Sequence, residues 1–381
     1  MKPKKVITRR RFIRELSAGT AGMALASTLP GLGRAQGHGD KDLSKVVIAR
    51  HPNSVIDAYT FDQSIVGELV NWAITEFTGQ EAPGLAWAQI FPGITASSVI
   101  GIKVNCINSA CSSHPEVAYA VAEGMASMRV AGGNFSRNNV IIWDRWNTNL
   151  NNAGYMIYEG NDPNRIRCFG TGLGPGYDPD DYDWDSQFDV QGKTVAPSPI
   201  LTQHSDYLIN LAVLKNHTGA GVTLGMKNHL GSLYDPNDLH HIDPELAELN
   251  QIFRDDLGDK DRITIIDALV GVNTTGPGGA PQFTYEGLIL GTDLVAVDCV
   301  GRDVLTNNGW PGSPDPSYID TAADPPYNLG TNDPAQMDVV EQNPIPPGSR
   351  KHVDKMIHFH QQGLATSLQV QWAINRYARG L

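Results

Sequence analysis

Two lysines, two asparagines and two histidines fall within fifteen residues: Lys215-Asn216-His217 and Lys227-Asn228-His229. Apart from this cluster, Gly221 to Leu230 is apolar except for Thr223. Ammonium groups in such surroundings need negative charge beside them, because an unpaired buried charge is costly. The partner is either a carboxylate of the protein, Asp144 or Asp267, or an external anion. An imidazole beside the lysines adds proton transfer near neutral pH. This reading makes Lys215, His217 and Asp144 the catalytic candidates. Lys103, Asn105, Ser113, Lys227, Asn228 and Asp267 are the candidate ligand-binding residues.

Lys103 and Asn105 close an apolar run, Ile100 to Val104, and Ser113-His114-Pro115-Glu116 follows. Ser113 with Glu116 reads as a capping box, and Pro115 suits the first turn of a helix. Lys103 and Asn105 would then lie beside a helix N-terminus, which attracts anions. A plain capped helix with a neighbouring lysine is the structural alternative. Asp144 ends the run Asn139 to Trp143. It can hold a metal or a hydroxyl, or it can pair with Arg145 or cap the next turn. Asp267 ends the run Ile263 to Ile266 and precedes Gly271 and Thr275-Gly276-Pro277-Gly278-Gly279. Glycines there admit close backbone approach to a ligand or form a plain loop.

His229, His240 and His241, with His217 and Asp243, are weak candidates for metal ligands, and their spacing matches no standard motif. The run Asp178, Asp180, Asp181, Asp183, Asp185 partly imitates a calcium loop. It lacks the required glycine and the late Glu, so it reads as a solvated acidic loop. Gly-x-Ser-x-Gly, a phosphate-binding Gly-Lys-Ser/Thr loop and His-Glu-x-x-His are all missing, which weakens hydrolase, nucleotidase and zinc-protease readings. The four cysteines, Cys106, Cys111, Cys168 and Cys299, include no Cys-x-x-Cys pair. No built-in iron–sulfur cluster is therefore expected. The cofactor is otherwise unassigned, with a metal ion left open. Cys106 and Cys111 either join in a local disulfide or stay as buried thiols.

These residues must be positioned by alternating strands and helices. Strands are expected at Lys45–Ala49, Ser98–Val104, Asn139–Trp143, Tyr207–Leu211 and Ile263–Ile266. Helices are expected at Asp62–Phe77, with Ile65, Leu69, Trp72 and Phe77 near one face, and at Pro115–Val130. The fold class is α/β, with a mainly parallel sheet covered by helices on both faces. Such sheets place ligands beyond the carboxyl ends of their strands. An irregular insertion spans about residues 157–200, and a Pro-, Asp- and Asn-rich excursion at 307–349 precedes a C-terminal helical region. No internal repeat is visible.

Several stretches together resemble the "domain of unknown function" family 362. They are Ile102-Lys103-Val104-Asn105, Ser113 to Val117, Leu208 to Leu211 through Lys215-x-His217, Val222 to Leu224 through Lys227-Asn228, Ile263 to Asp267, and Asp293 to Asp298. The resemblance covers about residues 45–306 in the family's order. It implies no reaction, but it singles out Lys103, Asn105, Lys215, His217, Lys227 and Asn228. Some members resemble fusions to ferredoxin-like cysteine clusters, which this chain lacks.

The N-terminus adds a destination. Thr8-Arg9-Arg10-Arg11-Phe12-Ile13 resembles a twin-arginine signal. A mildly apolar stretch from Leu16 to Leu32 and a small-x-small site at Gly33-Arg34-Ala35 follow it. Residues 1–35 read as a cleaved signal, residues 45–306 as the α/β domain and residues 307–381 as a loop with helices. The full chain has 29 basic and 41 acidic residues; without residues 1–35, 21 and 40 remain, a net charge of about −19. Such a surface excludes nucleic acid and anionic lipid as partners. No membrane span is expected in the mature chain.

The expected protein is thus periplasmic or extracellular, delivered by the twin-arginine machinery, with a cleft for a small anion. It is an enzyme acting on that anion or, alternatively, a non-catalytic ligand-binding or assembly factor for an exported redox system. A purely structural salt-bridge network is the third reading. Replacing Arg9 and Arg10 by Lys is expected to leave the chain in the cytoplasm. Cell fractionation measures this, and undiminished export of that variant rejects the signal.

Overall fold

Runs of Val, Ile and Leu that are apolar on both sides must be covered on both sides, and here they build one nine-stranded sheet. The computed structural model describes residues 43–241, 243–342 and 350–361, together with 370, 371 and 374. The expected signal, residues 1–35, lies outside the described residues.

The strands are β1 (Ser44–Arg50), β2 (Ile100–Lys103), β3 (Val140–Trp143), β4 (Arg167–Cys168), β5 (Tyr207–His217), β6 (Gly221–Thr223), β7 (Asp261–Val272), β8 (Phe283–Gly291) and β9 (Met337–Gln342). Their order is β9-β1-β8-β7-β5-β2-β3-β4, with β6 folded back on β5. From β7 to β4 every neighbouring pair is parallel, while β8 runs antiparallel to both β7 and β1.

The main helices are α1 (Gln63–Thr78), α2 (Pro83–Ile90), α3 (Pro115–Ala126), α4 (Gly225–Asn228), α5 (Glu245–Asp255), α6 (Leu294–Asn307) and α7 (Arg350–Gln361). Alternate side chains of β5 serve two cores. Ile209, Leu211 and Val213 pack with residues of α1, α2 and α3. Leu208, Ala212 and Leu214 pack with residues of α5 and α6. Helix α1 begins at Asp62, whose carboxylate accepts the Ser64 and Ile65 N–H groups, and ends at Gly79 in the left-handed region at φ 70°. Its buried stripe is Val66, Leu69, Val70, Ala73 and Ile74. The stripe keeps Leu69 of the expected face, while Trp72 and Phe77 flank it, partly buried.

Several expectations change. Helix α3 stops at Ala126, four residues before the expected end, because Arg129–Val130 pairs with Gly133–Asn134 as a small hairpin. The Ser113–Glu116 capping box does not form: Ser113 Oγ accepts from Asn105 N and donates to the Leu211 carbonyl. Strand β5 continues to His217, past the expected end at Leu211, because β6 and β7 pair with its later residues. The excursion after residue 307 supplies β9, which pairs in parallel with β1. Within the insertion, Phe188–Val190 pairs with Lys193–Val195.

Register brings the polar strand ends together. Lys103, the last residue of β2, lies opposite Asn210 of β5 and Trp143 of β3. Strand β5 therefore projects seven residues, Leu211 to His217, beyond its pairing with β2. Helix α4 sits against β5 and is pinned from α6: the buried Asp298 carboxylate accepts Gly225 N at 2.7 Å and Met226 N at 3.0 Å. Glycine is needed at 225, where a Cβ would come 2.9 Å from Asp298 Oδ1 and 2.7 Å from Thr264 Cγ2. Burial pushes the Asp298 carboxyl up to about 7, against the pull of those two donors.

Asp298→Ala strands two buried N–H groups and is expected to lower stability by roughly 2–4 kcal/mol. The wild-type carboxyl titrates at about 7, against 3.8 for the free side chain. Its stabilising contribution is thus complete below the lower value and lost as pH rises through the higher one. The difference between wild type and variant should shrink between these pH values, as measured by denaturant unfolding at each end.

Candidate functional site

The polar residues gather where β2 and β3 end and along the later residues of β5 and β7; β7 does not end at Asp267 as expected but continues to Val272, paired with β5 and β8. Lys103 is 1% exposed; its Nζ donates to Asp144 Oδ1 at 2.8 Å and to the Val104 carbonyl at 2.7 Å. The second Asp144 oxygen accepts Cys106 N at 2.7 Å, and Oδ1 also accepts Arg145 N at 2.8 Å. Lys103 and Asp144 thus neutralise each other inside the protein. Gly231 packs over them, since a Cβ there would lie 3.0 Å from Lys103 Nζ and 3.1 Å from Asp144 Oδ1. Of the alternatives for Asp144, the internal ion pair is the one present, and it is made with Lys103. Arg145 instead donates to Asn149 Oδ1 and the Tyr177 hydroxyl and lies over the Trp146 ring.

Lys215, 0% exposed, is placed differently. Its Nζ donates to Asn105 Oδ1 at 2.8 Å and to the Cys111 carbonyl at 3.3 Å, both neutral oxygens. A chain of amides continues from there. Asn105 Nδ2 donates to Asn228 Oδ1; Asn228 Nδ2 donates to Asn210 Oδ1 and the Lys103 carbonyl; Asn210 Nδ2 donates to the Gly225 carbonyl. This chain ties β2 and β5 to α4. Lys227, on α4, is 7% exposed and makes no hydrogen bond or ion pair with any described residue. Burial pushes its ammonium down to about 8, with the Lys215 charge adding to the shift. Burial also lowers Lys215, with Cys111, Cys106 and Asp144 pulling the other way and the Lys103 charge adding to the fall.

Asp267 serves a histidine. Its Oδ2 accepts His114 N at 2.7 Å and lies 2.8 Å from His114 Nδ1, while Oδ1 accepts Leu269 N at 3.2 Å. A carboxylate holding that many donors assigns the proton to Nδ1 and leaves Nε2 as the basic nitrogen. The His114 ring packs 4.2 Å from that of Phe61. Burial pushes the Cys111 thiol up to about 12, with the Lys215 charge lowering it and the Asp267 charge raising it. Sequence reasoning passed over His114. Its position between Ser113 and Pro115 was visible, but the partner that gives it chemistry lies 153 residues away.

The other candidates lie elsewhere. His217 Nδ1 accepts Gly219 N and Ala220 N, both at 3.0 Å, and so shapes the turn after β5. His229 is buried; its Nε2 is 2.7 Å from Asp261 Oδ2 and its Nδ1 3.0 Å from Ser232 Oγ. Asp261 begins β7, whereas Asp267 lies further along it, so His229 belongs to the opposite end of the sheet. The side chains of His240 and His241 lie outside the described residues. Among the described residues no three His, Cys, Asp or Glu side chains gather as a metal site would require. The glycines at 276–279 close on the protein itself: Asn216 Oδ1 accepts Gly276 N, and Asn108 Nδ2 donates to the Pro277 and Gly279 carbonyls. Cys106 and Cys111 are buried free thiols. A cavity of about 500 Å³ opens between α1, α2 and α3, lined by residues such as Asn71, Leu85, Ala120 and Arg129 and by none of the candidates. It has room but little chemistry, so the charged cluster remains the better site.

Residues 100–303, more than half of the chain, match the family described as Domain of unknown function (DUF362). The chain belongs to this family. The DUF362 match begins at the first residue of β2 and ends within α6, so it holds the whole cluster from Lys103 to Asp298. No curated protein matches the chain. The crystal structure of a Thermotoga maritima protein aligns over 82% of this chain and 93% of its own, at 9% identity and a TM-score of 0.39.

Lys103→Met leaves Asp144 charged, buried and without its ion-pair partner. It is expected to cost about 3–5 kcal/mol. Thermal denaturation measures this, and a loss below about 1 kcal/mol contradicts a closed internal pair.

Proposed function

We propose that the protein is exported by the twin-arginine pathway and holds a small anion between Lys215 and Lys227, acting on it as an enzyme. The observation that carries the proposal is Lys227, a nearly buried ammonium without a partner among the described residues. Its neighbour Lys215 leans only on neutral oxygens. Of the two nearby carboxylates, Asp144 is taken by Lys103 and Asp267 by His114.

Magnitudes support an external anion. Lowering Lys227 from 10.5 to about 8 corresponds to roughly 3 kcal/mol against its charged form. An anion about 4 Å away returns about 4 kcal/mol at an effective dielectric of 20. A ligand therefore recovers what the empty site lacks. The His114–Asp267 pair favours an enzyme over a passive binder, because it fixes an imidazole with one basic nitrogen next to Ser113, which is bonded to Asn105, the acceptor of Lys215. His217, expected to transfer the proton, already commits Nδ1 to its turn, so the role passes to His114.

Lys227→Met is expected to weaken acetate or phosphate binding by about tenfold or more and to raise ligand-free stability at pH 7 by about 1–3 kcal/mol. Gain of stability with loss of binding is the signature; unchanged affinity in calorimetry removes the site. The pH dependence has a definite sign. The folded ammonium titrates at about 8, below its usual 10.5. Ligand-free stability should rise between those values, as the folded state sheds the proton first. Anion affinity should fall over the same range.

A further inference from the structure

We infer that Lys227 is an amine nucleophile that forms a Schiff base with a carbonyl-bearing carboxylate, such as a 2-oxo acid, whose carboxylate is held by Lys215. The inference rests on the anion site proposed above and adds the substrate class.

Four observations converge on Lys227. First, it makes no hydrogen bond or ion pair with any described residue, so none of these occupies its nitrogen. Second, it retains 7% exposure, against 1% for Lys103 and 0% for Lys215, so of the three it is the one a ligand reaches first. Third, its helix is held rigidly: Asp298 accepts its first N–H groups, Asn210 donates to the Gly225 carbonyl, and Asn250 Nδ2 donates to the Met226 carbonyl. Fourth, a second ammonium lies close by. Desolvation and a neighbouring cation are the two features that keep a lysine amine uncharged near neutral pH and ready to attack a carbonyl. For Lys227 both act in that direction.

The three lysines thus divide their work. Lys103 is spent on Asp144. Lys215 donates to neutral oxygens and can turn to a carboxylate. Lys227 supplies the lone pair. Its Nζ attacks the carbonyl carbon, a C–N bond forms, and the π pair moves to oxygen. Loss of that oxygen as water leaves a C=N bond. Overall, an ammonium and a carbonyl give a protonated imine and water, so atoms and charge balance without an oxidant or reductant.

The test is reductive trapping on the full chain. Wild type is incubated with pyruvate and cyanoborohydride, digested, and mapped by mass spectrometry. The secondary-amine adduct should be enriched at Lys227 about tenfold or more over exposed lysines such as those at the chain surface. Lys227→Arg keeps the charge and should retain pyruvate binding in calorimetry while losing the adduct. Pyruvate binding without enriched trapping at Lys227 overturns the Schiff base and leaves the anion site standing. Absence of both binding and trapping overturns the anion site as well. The wild-type map decides the question even if the variant fails to fold.

Discussion

Burying cations without enough anions is the constraint around which this structure turns. Three ammonium groups lie behind the carboxyl edge of the sheet, and the two carboxylates there are already engaged. Lys103 takes Asp144, and His114 takes Asp267. Of the remaining two lysines, Lys215 has neutral oxygens and Lys227 has no partner among the described residues. A protein core normally avoids such an imbalance, because the desolvation cost is repaid only by a well-placed opposite charge. Keeping it implies a use for it.

The surrounding structure is built to keep the imbalance in place. The amides of Asn105, Asn228 and Asn210 form an uncharged bridge from β2 through β5 to α4. They satisfy the backbone at the strand ends without supplying negative charge that would neutralise the lysines. Asp298, a further buried carboxylate beside α4, is occupied by the Gly225 and Met226 N–H groups. Two apolar cores, one on each side of the sheet, supply the stability against which the unpaired charges are held.

The His114–Asp267 pair depends on the same geometry. Asp267 follows a run of β-branched residues and lies beside Val213 of β5, and the residue before α3, His114, reaches it there. The carboxylate binds the backbone N–H of His114 as well as its ring. It therefore fixes both the helix start and the imbalance between the two ring nitrogens. The hydroxyl of Ser113 is left to join the end of β2 to β5 instead of capping the helix.

The sequence by itself determined which residues stand at the ends of the strands. Apolar runs are local, so their limits at Lys103 and Asp144 could be read directly, as could the α/β class and the helix beginning at Asp62, whereas β7 runs on past Asp267 to Val272. Only the tertiary structure decided who pairs with whom. Lys103 meets Asp144 across 41 residues, and His114 meets Asp267 across 153. Strand β8, which carries two glycines and a glutamate, gave no clear strand pattern, yet it lies buried between β7 and β1. Strand β9 comes from a stretch that looks like a loop. The reason is physical. Local composition sets where backbone leaves a strand, whereas strand order and register set which side chains then share a dry space, and it is the sharing that determines their charge.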